Sequence, residues 1–105
     1  MNKSLVDQFN LEMYDIYKRA KKEANYNAIR FLHMLDSRGG IDTAHLLINS
    51  SAVSEGYVAL WERDRLDLTV EALIWDNNKY HSLFSEKELS LIKKRLIEYR
   101  YGPAM

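Results

Sequence analysis

The sequence predicts an all-α fold, a compact, irregular and orthogonally packed bundle of about six helices. Three observations predict it. One Pro and four Gly in 105 residues leave too little turn chemistry for an all-β domain. No stretch alternates apolar and polar residues cleanly at period two. Apolar residues recur instead at spacings of three and four, the repeat of a helix with one buried face. A chain of this length buries roughly 60–70% of the surface its unfolded form exposes, enough for one core without covalent staples. We therefore read a single domain over 1–105, with an N-terminal helix in 1–25 and a helical core in 26–101.

The elements follow in order. Leu5, Phe9, Met13, Ile16 and Ala20 form one stripe of a helix running from about Ser4 to Ala24. Ser4 with Asp7 is a weaker form of the capping box, and Lys18, Arg19, Lys21 and Lys22 crowd the end where cations oppose the helix dipole favourably. Asn27 is the expected N-cap of a second helix carrying Ala28, Phe31, Leu32 and Leu35. Gly39 can close that helix in a left-handed conformation, and Gly40 frees the chain to turn. A third helix runs from Asp42 with Ala44, Leu47 and Ile48 inward, until "NSS" stops it. Ser54 caps a short fourth helix holding Val58, Leu60 and Trp61. Asp67 is expected to cap a fifth over Leu68 to Trp75, which "DNN" ends. "KYHSLF" reads as a loop. Ser85 to Glu88 is a full capping box for the last helix, with Leu89, Ile92, Leu96 and Tyr99 on its seam. Gly102-Pro103 is expected to terminate it.

Composition narrows the function classes. The absence of cysteine excludes a disulfide framework and thiolate zinc sites, and fits a reducing compartment. Fifteen basic against fifteen acidic residues give zero formal charge, without the basic excess that phosphate-binding proteins usually carry. Leu5 and Val6 run straight into Asp7 and Gln8, which is no signal-peptide core. No run approaches the ~20 apolar residues of a membrane span. The expected location is the cytoplasm, with no membrane partner. Walker, Gly-x-Gly-x-x-Gly, Gly-x-Ser-x-Gly and His-Glu-x-x-His motifs are all missing, so no cofactor, metal or catalytic residue is assigned.

The stretch "LWERDRLDLTVEALIW", Leu60 to Trp75, is the least ordinary. Six charges (Glu62, Arg63, Asp64, Arg65, Asp67, Glu71) sit among large apolar side chains. The helix from Leu68 is apolar almost all round, so Glu71 should be buried and in need of a partner or a raised pKa. Arg63 and Arg65, just before it, are the natural neutralisers. The structural reading makes Asp67 the cap and Glu71 a paired charge, together a lock on the turn. Three sharper readings compete with it: an oxygen site for Mg²⁺ or Ca²⁺ on Asp64, Asp67 and Glu71, a catalytic carboxylate, or a polar pocket for a partner's side chain.

Other candidates weigh less. His33, His45 and His81 have no paired spacing and read as solvated. Lys18 and Lys22 share a helix face, and Lys93, Lys94, Arg95 and Arg100 form a second basic cluster. Adjacent helices would make these a nucleic-acid patch; with zero net charge, solvated helix ends are the favoured reading. Tyr14, Tyr17, Tyr80, Tyr99 and Tyr101 fall near the surface by pattern, where tyrosine suits interfaces or core edges. Leu91 and Ile97 broaden the apolar face of the last helix.

The segments "YNAIRFLHMLDSRGGIDTAHLLI", "SEGYVALWERDRLDLTVEALI" and "LFSEKELSLIKKRL" resemble a family of small, uncharacterised bacterial helical domains. Leu60-Trp61-Glu62 with Arg65 to Glu71 is the most specific part, and the first helix lies outside the likeness. No activity is known for that family, so the resemblance implies no catalytic residues. It implies that the block from Arg65 to Glu71 belongs to a shared pattern, as a fold lock or a docking surface.

The function expected is a non-enzymatic protein-interaction module. Its surface would be built on Trp61, Glu62, Arg63 and Arg65, with Tyr26 and Asn27 beside them, and Asp67 and Glu71 orienting the arginines. The density of aromatic and arginine side chains motivates it. The partner is an unidentified protein, with a homodimer also compatible. The alternative is a nucleic-acid accessory domain using Lys18, Lys22, Lys93, Lys94 and Arg100. A carboxylate enzyme or metal protein comes third.

Overall fold

The computed structural model describes residues 4–105 and is all-α, with no strand among the described residues. Five α-helices run in order: α1 (Leu5–Glu23), α2 (Ile29–Ile48), α3 (Glu55–Glu62), α4 (Val70–Trp75) and α5 (Glu86–Glu98). Short 3₁₀ turns cover Leu66–Leu68, Asn78–Leu83 and Gly102–Ala104. The expected "KYHSLF" loop is thus partly coiled. Residues 1–3 of the expected domain lie outside the described residues.

Local chemistry sets most ends. Ser4 accepts from the Asp7 amide at 3.1 Å, and Phe9, Met13, Ile16 and Ala20 are the buried stripe of α1. The second and third predicted helices are one element broken at Gly39, whose φ of +81° only glycine adopts cheaply. Asn27 is not its cap: Ala28 takes that place without a side-chain bond, and Asn27 accepts from the Tyr17 hydroxyl at 2.7 Å instead. The tertiary contact with α1 outcompetes the local cap. The same pair of helices explains Gly40, whose amide donates to Asn10 at 2.8 Å and whose missing Cβ would lie 3.1 Å from the Asn10 Cα. Contacts at residues 10/40, 14/36 and 17/27 show that α1 runs antiparallel to α2.

α3 carries its predicted Ser54 cap, with the Tyr57 amide 3.1 Å from the hydroxyl. It closes through Asp64 at φ +58°, with Arg65 N–H donating to the Leu60 carbonyl at 2.8 Å. The cap of α4 is Thr69, which accepts from the Ala72 amide at 3.1 Å. Asp67 lies inside the preceding 3₁₀ turn and caps nothing, because that turn postpones the α-helix by two residues. The capping box at Ser85 and Glu88 is complete. α5 ends before the expected Gly102-Pro103. Arg100, at φ +61°, takes the left-handed position, and Tyr101 N–H returns to the Leu96 carbonyl at 2.8 Å.

One core joins all the helices. Phe9, Tyr80 and Phe84 pack edge to face, with centroids 5.0 and 5.7 Å from Phe9, beside Ile74, Ile92 and Leu96. Tyr80, expected near the surface, is fully buried, because the 3₁₀ turn folds it under α1. α4 is the central element, with Val70, Ala72, Leu73 and Ile74 all buried.

Candidate functional site

The six charges of the opening block divide into unrelated assemblies. Arg65 bridges two elements: its Nη2 donates to Glu23 at 2.7 Å, and its Nε to Asp67 at 3.0 Å. Glu23 also accepts from Arg19 at 2.8 Å. Hydrogen bonds from Arg19 and then Arg65 hold the Glu23 carboxyl down at about 2. This half-exposed chain of charges ties the end of α1 to the turn before α4. Exposed pairs of this kind contribute little each.

Glu71 is buried as expected, at 4% exposure, but its partner is neither Arg63 nor Arg65. Arg95 of α5 donates to it from Nη1 at 3.3 Å. α4 turns Glu71 inward while Asp67 faces out, so the two carboxylates do not form one lock. Arg95 also donates to the Leu47 carbonyl at 3.1 Å and the Ser50 carbonyl at 2.6 Å, neutralising the C-terminal end of α2. Burial pushes Glu71 above the usual carboxylate range, against its own backbone amide and Arg95. Tyr57 closes the node by donating to the Arg95 carbonyl at 3.0 Å.

Arg95, expected in a basic surface cluster, is 8% exposed and engaged by Leu47, Ser50 and Glu71. A sequence signal existed: Arg95 lies three residues after Ile92 and four before Tyr99, on the buried seam of α5. Glu88 lies on that seam too, four before Ile92. It accepts from Ser85 N–H at 2.9 Å and Asn49 Nδ2 at 2.8 Å, and meets His45 Nδ1 at 2.5 Å. Burial would raise Glu88, but these hydrogen bonds outweigh it and hold the carboxyl at about 2. His45 is therefore a bridge between α2 and α5, not a solvated side chain. His81 packs on the Trp75 ring at 5.7 Å, and His33 is exposed.

The remaining site residues fall on two sides of α3. Arg63 stacks over the Tyr26 ring at 5.0 Å and donates to the Ala24 and Ala59 carbonyls, capping α1 and α3. Asn27 is next to that stack. Trp61 points away, 47% exposed and edge-on to Tyr99 at 5.3 Å, at the side of a second hollow with Asp64, Glu98 and Tyr101. Glu62 is exposed. Tyr26 and Asn27 thus join Arg63, while Trp61 stands apart from them.

Sequence reasoning missed a cleft of about 370 Å³ between α1, α2, α3 and α4. Ile16, Phe31, Leu47, Leu60, Leu68 and Val70 make its apolar wall. Glu71 and Tyr57, both almost fully buried, lie at its deep side. Tyr26, Asn27, Arg30 and Glu55 form the mouth. Arg30 and Glu55 touch once at 3.4 Å, with side chains 89% and 76% exposed. No sequence pattern announces this cleft, because four elements far apart in the chain line it.

The candidate basic residues lie on different helices. Lys18 and Lys22 are exposed on α1, which packs on α2, whereas Lys93 and Lys94 are on α5, which packs on α4 and α2. Lys93 lies over Trp75 at 5.8 Å. Asp64 and Asp67 both line the second hollow whereas Glu71 is turned inward to Arg95, and no group of three potential metal ligands forms among the described residues. No described helix is long and apolar enough to cross a membrane. No protein-family model, curated protein or solved structure matches the chain, so the family resemblance rests on the quoted residues alone.

Proposed function

We propose that this chain is a non-enzymatic protein-interaction module, acting in the cytoplasm, whose contact surface is the mouth of the cleft together with the Tyr26, Asn27 and Arg63 cluster. The observation that supports the reading best is the cleft itself. It joins an apolar wall to a mouth of aromatic and charged side chains, the composition that dominates interface energetics. Ile29, 46% exposed at the mouth, extends the apolar area outward. Arg65, Asp67 and Arg95 hold the surrounding elements and are spent on internal partners, while Glu71 pairs with Arg95 and also lines the cleft. Trp61 and Glu62 lie at the periphery of this surface. A cysteine-free chain fits the reducing compartment.

A photo-crosslinking amino acid placed at Ile29, in the native host, tests the reading. A control carries it at Leu11, an exposed apolar position on α1 that does not line the cleft. A protein adduct from position 29 and none from position 11 supports the reading. No adduct at position 29, or equal adducts at both, overturns it. Salt-sensitive retention on mixed-sequence DNA would favour the basic residues of α1 and α5 instead.

A further inference from the structure

Resting on the interaction reading above, we infer that the cleft receives a lysine side chain of the partner protein, its aliphatic stem along the apolar wall and its ammonium at Glu71. An apolar slot with a carboxylate at its deep side matches a side chain that is apolar along its stem and cationic at its tip. Leu60, Leu68 and Val70 supply the slot, and Glu71, 4% exposed, supplies the acid.

Three further observations favour a cationic occupant. Arg95 leaves Glu71 under-compensated: its contacts to Ser50 and Leu47, at 2.6 and 3.1 Å, are shorter than that to Glu71 at 3.3 Å. Burial accordingly still outweighs Arg95 at this carboxyl, and a second cation would hold it ionised. Gly56, in the first turn of α3, lies on the cleft wall. A Cβ there would meet nothing nearer than the Tyr26 hydroxyl at 3.8 Å, so packing does not demand glycine. The cleft wall is thus open beside Tyr26 and Ser54. At the mouth, the solvent-exposed Arg30 and Glu55 share one contact at 3.4 Å and are free to re-pair with charges flanking the lysine.

Lysine fits better than arginine. An ammonium is a compact point charge on an apolar stem, whereas the guanidinium fork would bring five donors into an apolar slot. Leucine or phenylalanine would fill space and leave Glu71 as under-compensated as before.

The test uses the full chain and short Gly/Ala/Ser peptides with a central lysine, norleucine or acetyl-lysine, plus free n-butylamine, titrated by NMR. The lysine peptide should bind about tenfold or more tighter than the norleucine and acetyl-lysine peptides, the effect of one charge-assisted hydrogen bond. Glu71→Gln should abolish that preference and leave the norleucine peptide unchanged. Should that variant fail to fold, the wild-type shift map decides. Perturbations centred on Tyr57, Leu60, Val70 and Glu71 support the inference, and perturbations confined to Glu55 and Glu62 overturn it. Equal binding of lysine and norleucine peptides overturns it, as does n-butylamine binding as tightly as the lysine peptide. If no peptide binds while the crosslink at position 29 succeeds, the lysine inference fails and the interaction reading stands.

Discussion

Arg95→Met is the most informative single change. Methionine keeps much of the apolar stem but removes the charge and every donor. The Leu47 and Ser50 carbonyls lose their side-chain donor, and Glu71 loses the guanidinium 3.3 Å away. Breaking a buried pair from one side costs about 3–5 kcal/mol, because the other charge stays buried. Protonation limits that cost. Burial has already raised Glu71, so the orphaned carboxyl can take up a proton. The sign follows from linkage. A folded pKa raised above the unfolded value means the native state binds more protons, so stability falls as pH rises from the unfolded pKa towards the folded one. Arg95→Met should therefore cost less at low pH than at neutral pH. Urea denaturation with a checked m-value measures both. In a Glu71→Gln background the same change should cost at least about 1 kcal/mol less, as expected of contacting residues. A loss below about 1 kcal/mol, or one unaffected by Glu71→Gln, would refute the buried-pair reasoning.

Three further outcomes follow from the same contacts. Thr69→Ala should cost about 1 kcal/mol as the lost cap of α4, whereas Asp67→Ala, in an exposed pair, should stay within about 0.5 kcal/mol by thermal or urea melting. A reversed order would restore Asp67 as the cap. Glu88 is held at about 2, below its usual value. Its contribution is thus complete above the ordinary carboxylate pKa and is lost as pH falls towards 2; Glu88→Gln should flatten that limb of the stability–pH curve, and an unchanged limb would contradict the bridge. Gly39→Ala has open space around the new methyl but a φ of +81°, so it should cost about 1–3 kcal/mol from backbone strain alone, and a neutral result would argue against the break in α2.

The helices were legible because their signals are local. The Ser4, Ser54 and Ser85 caps each bond an amide three residues on, and the apolar stripe of α1 is buried as its spacing requires. The burial of Glu71 was legible for the same reason, since α4 has almost no polar face to turn outward. Errors arose where a distant contact competed with a local one. Asn27 has the right chemistry for a cap, but its oxygen bonds Tyr17 across the α1–α2 interface. Asp67 has cap chemistry as well, but Arg65 takes its carboxylate and a 3₁₀ turn puts Thr69 first.

By itself, then, the sequence determined the all-α class, most helix ends and the fact that one carboxylate must lie inside. Hydrophobic period and capping act within a few residues, so they need no knowledge of the rest of the chain. Tertiary structure alone decided which arginine meets Glu71, which charges stay outside, and that a cleft opens between α1, α2, α3 and α4. Arg95 is 24 residues from Glu71, and the nearer Arg63 and Arg65 are drawn off to Ala24 and Glu23. Charge pairing depends on distance in space and on competing partners, and neither is encoded in the spacing along the chain.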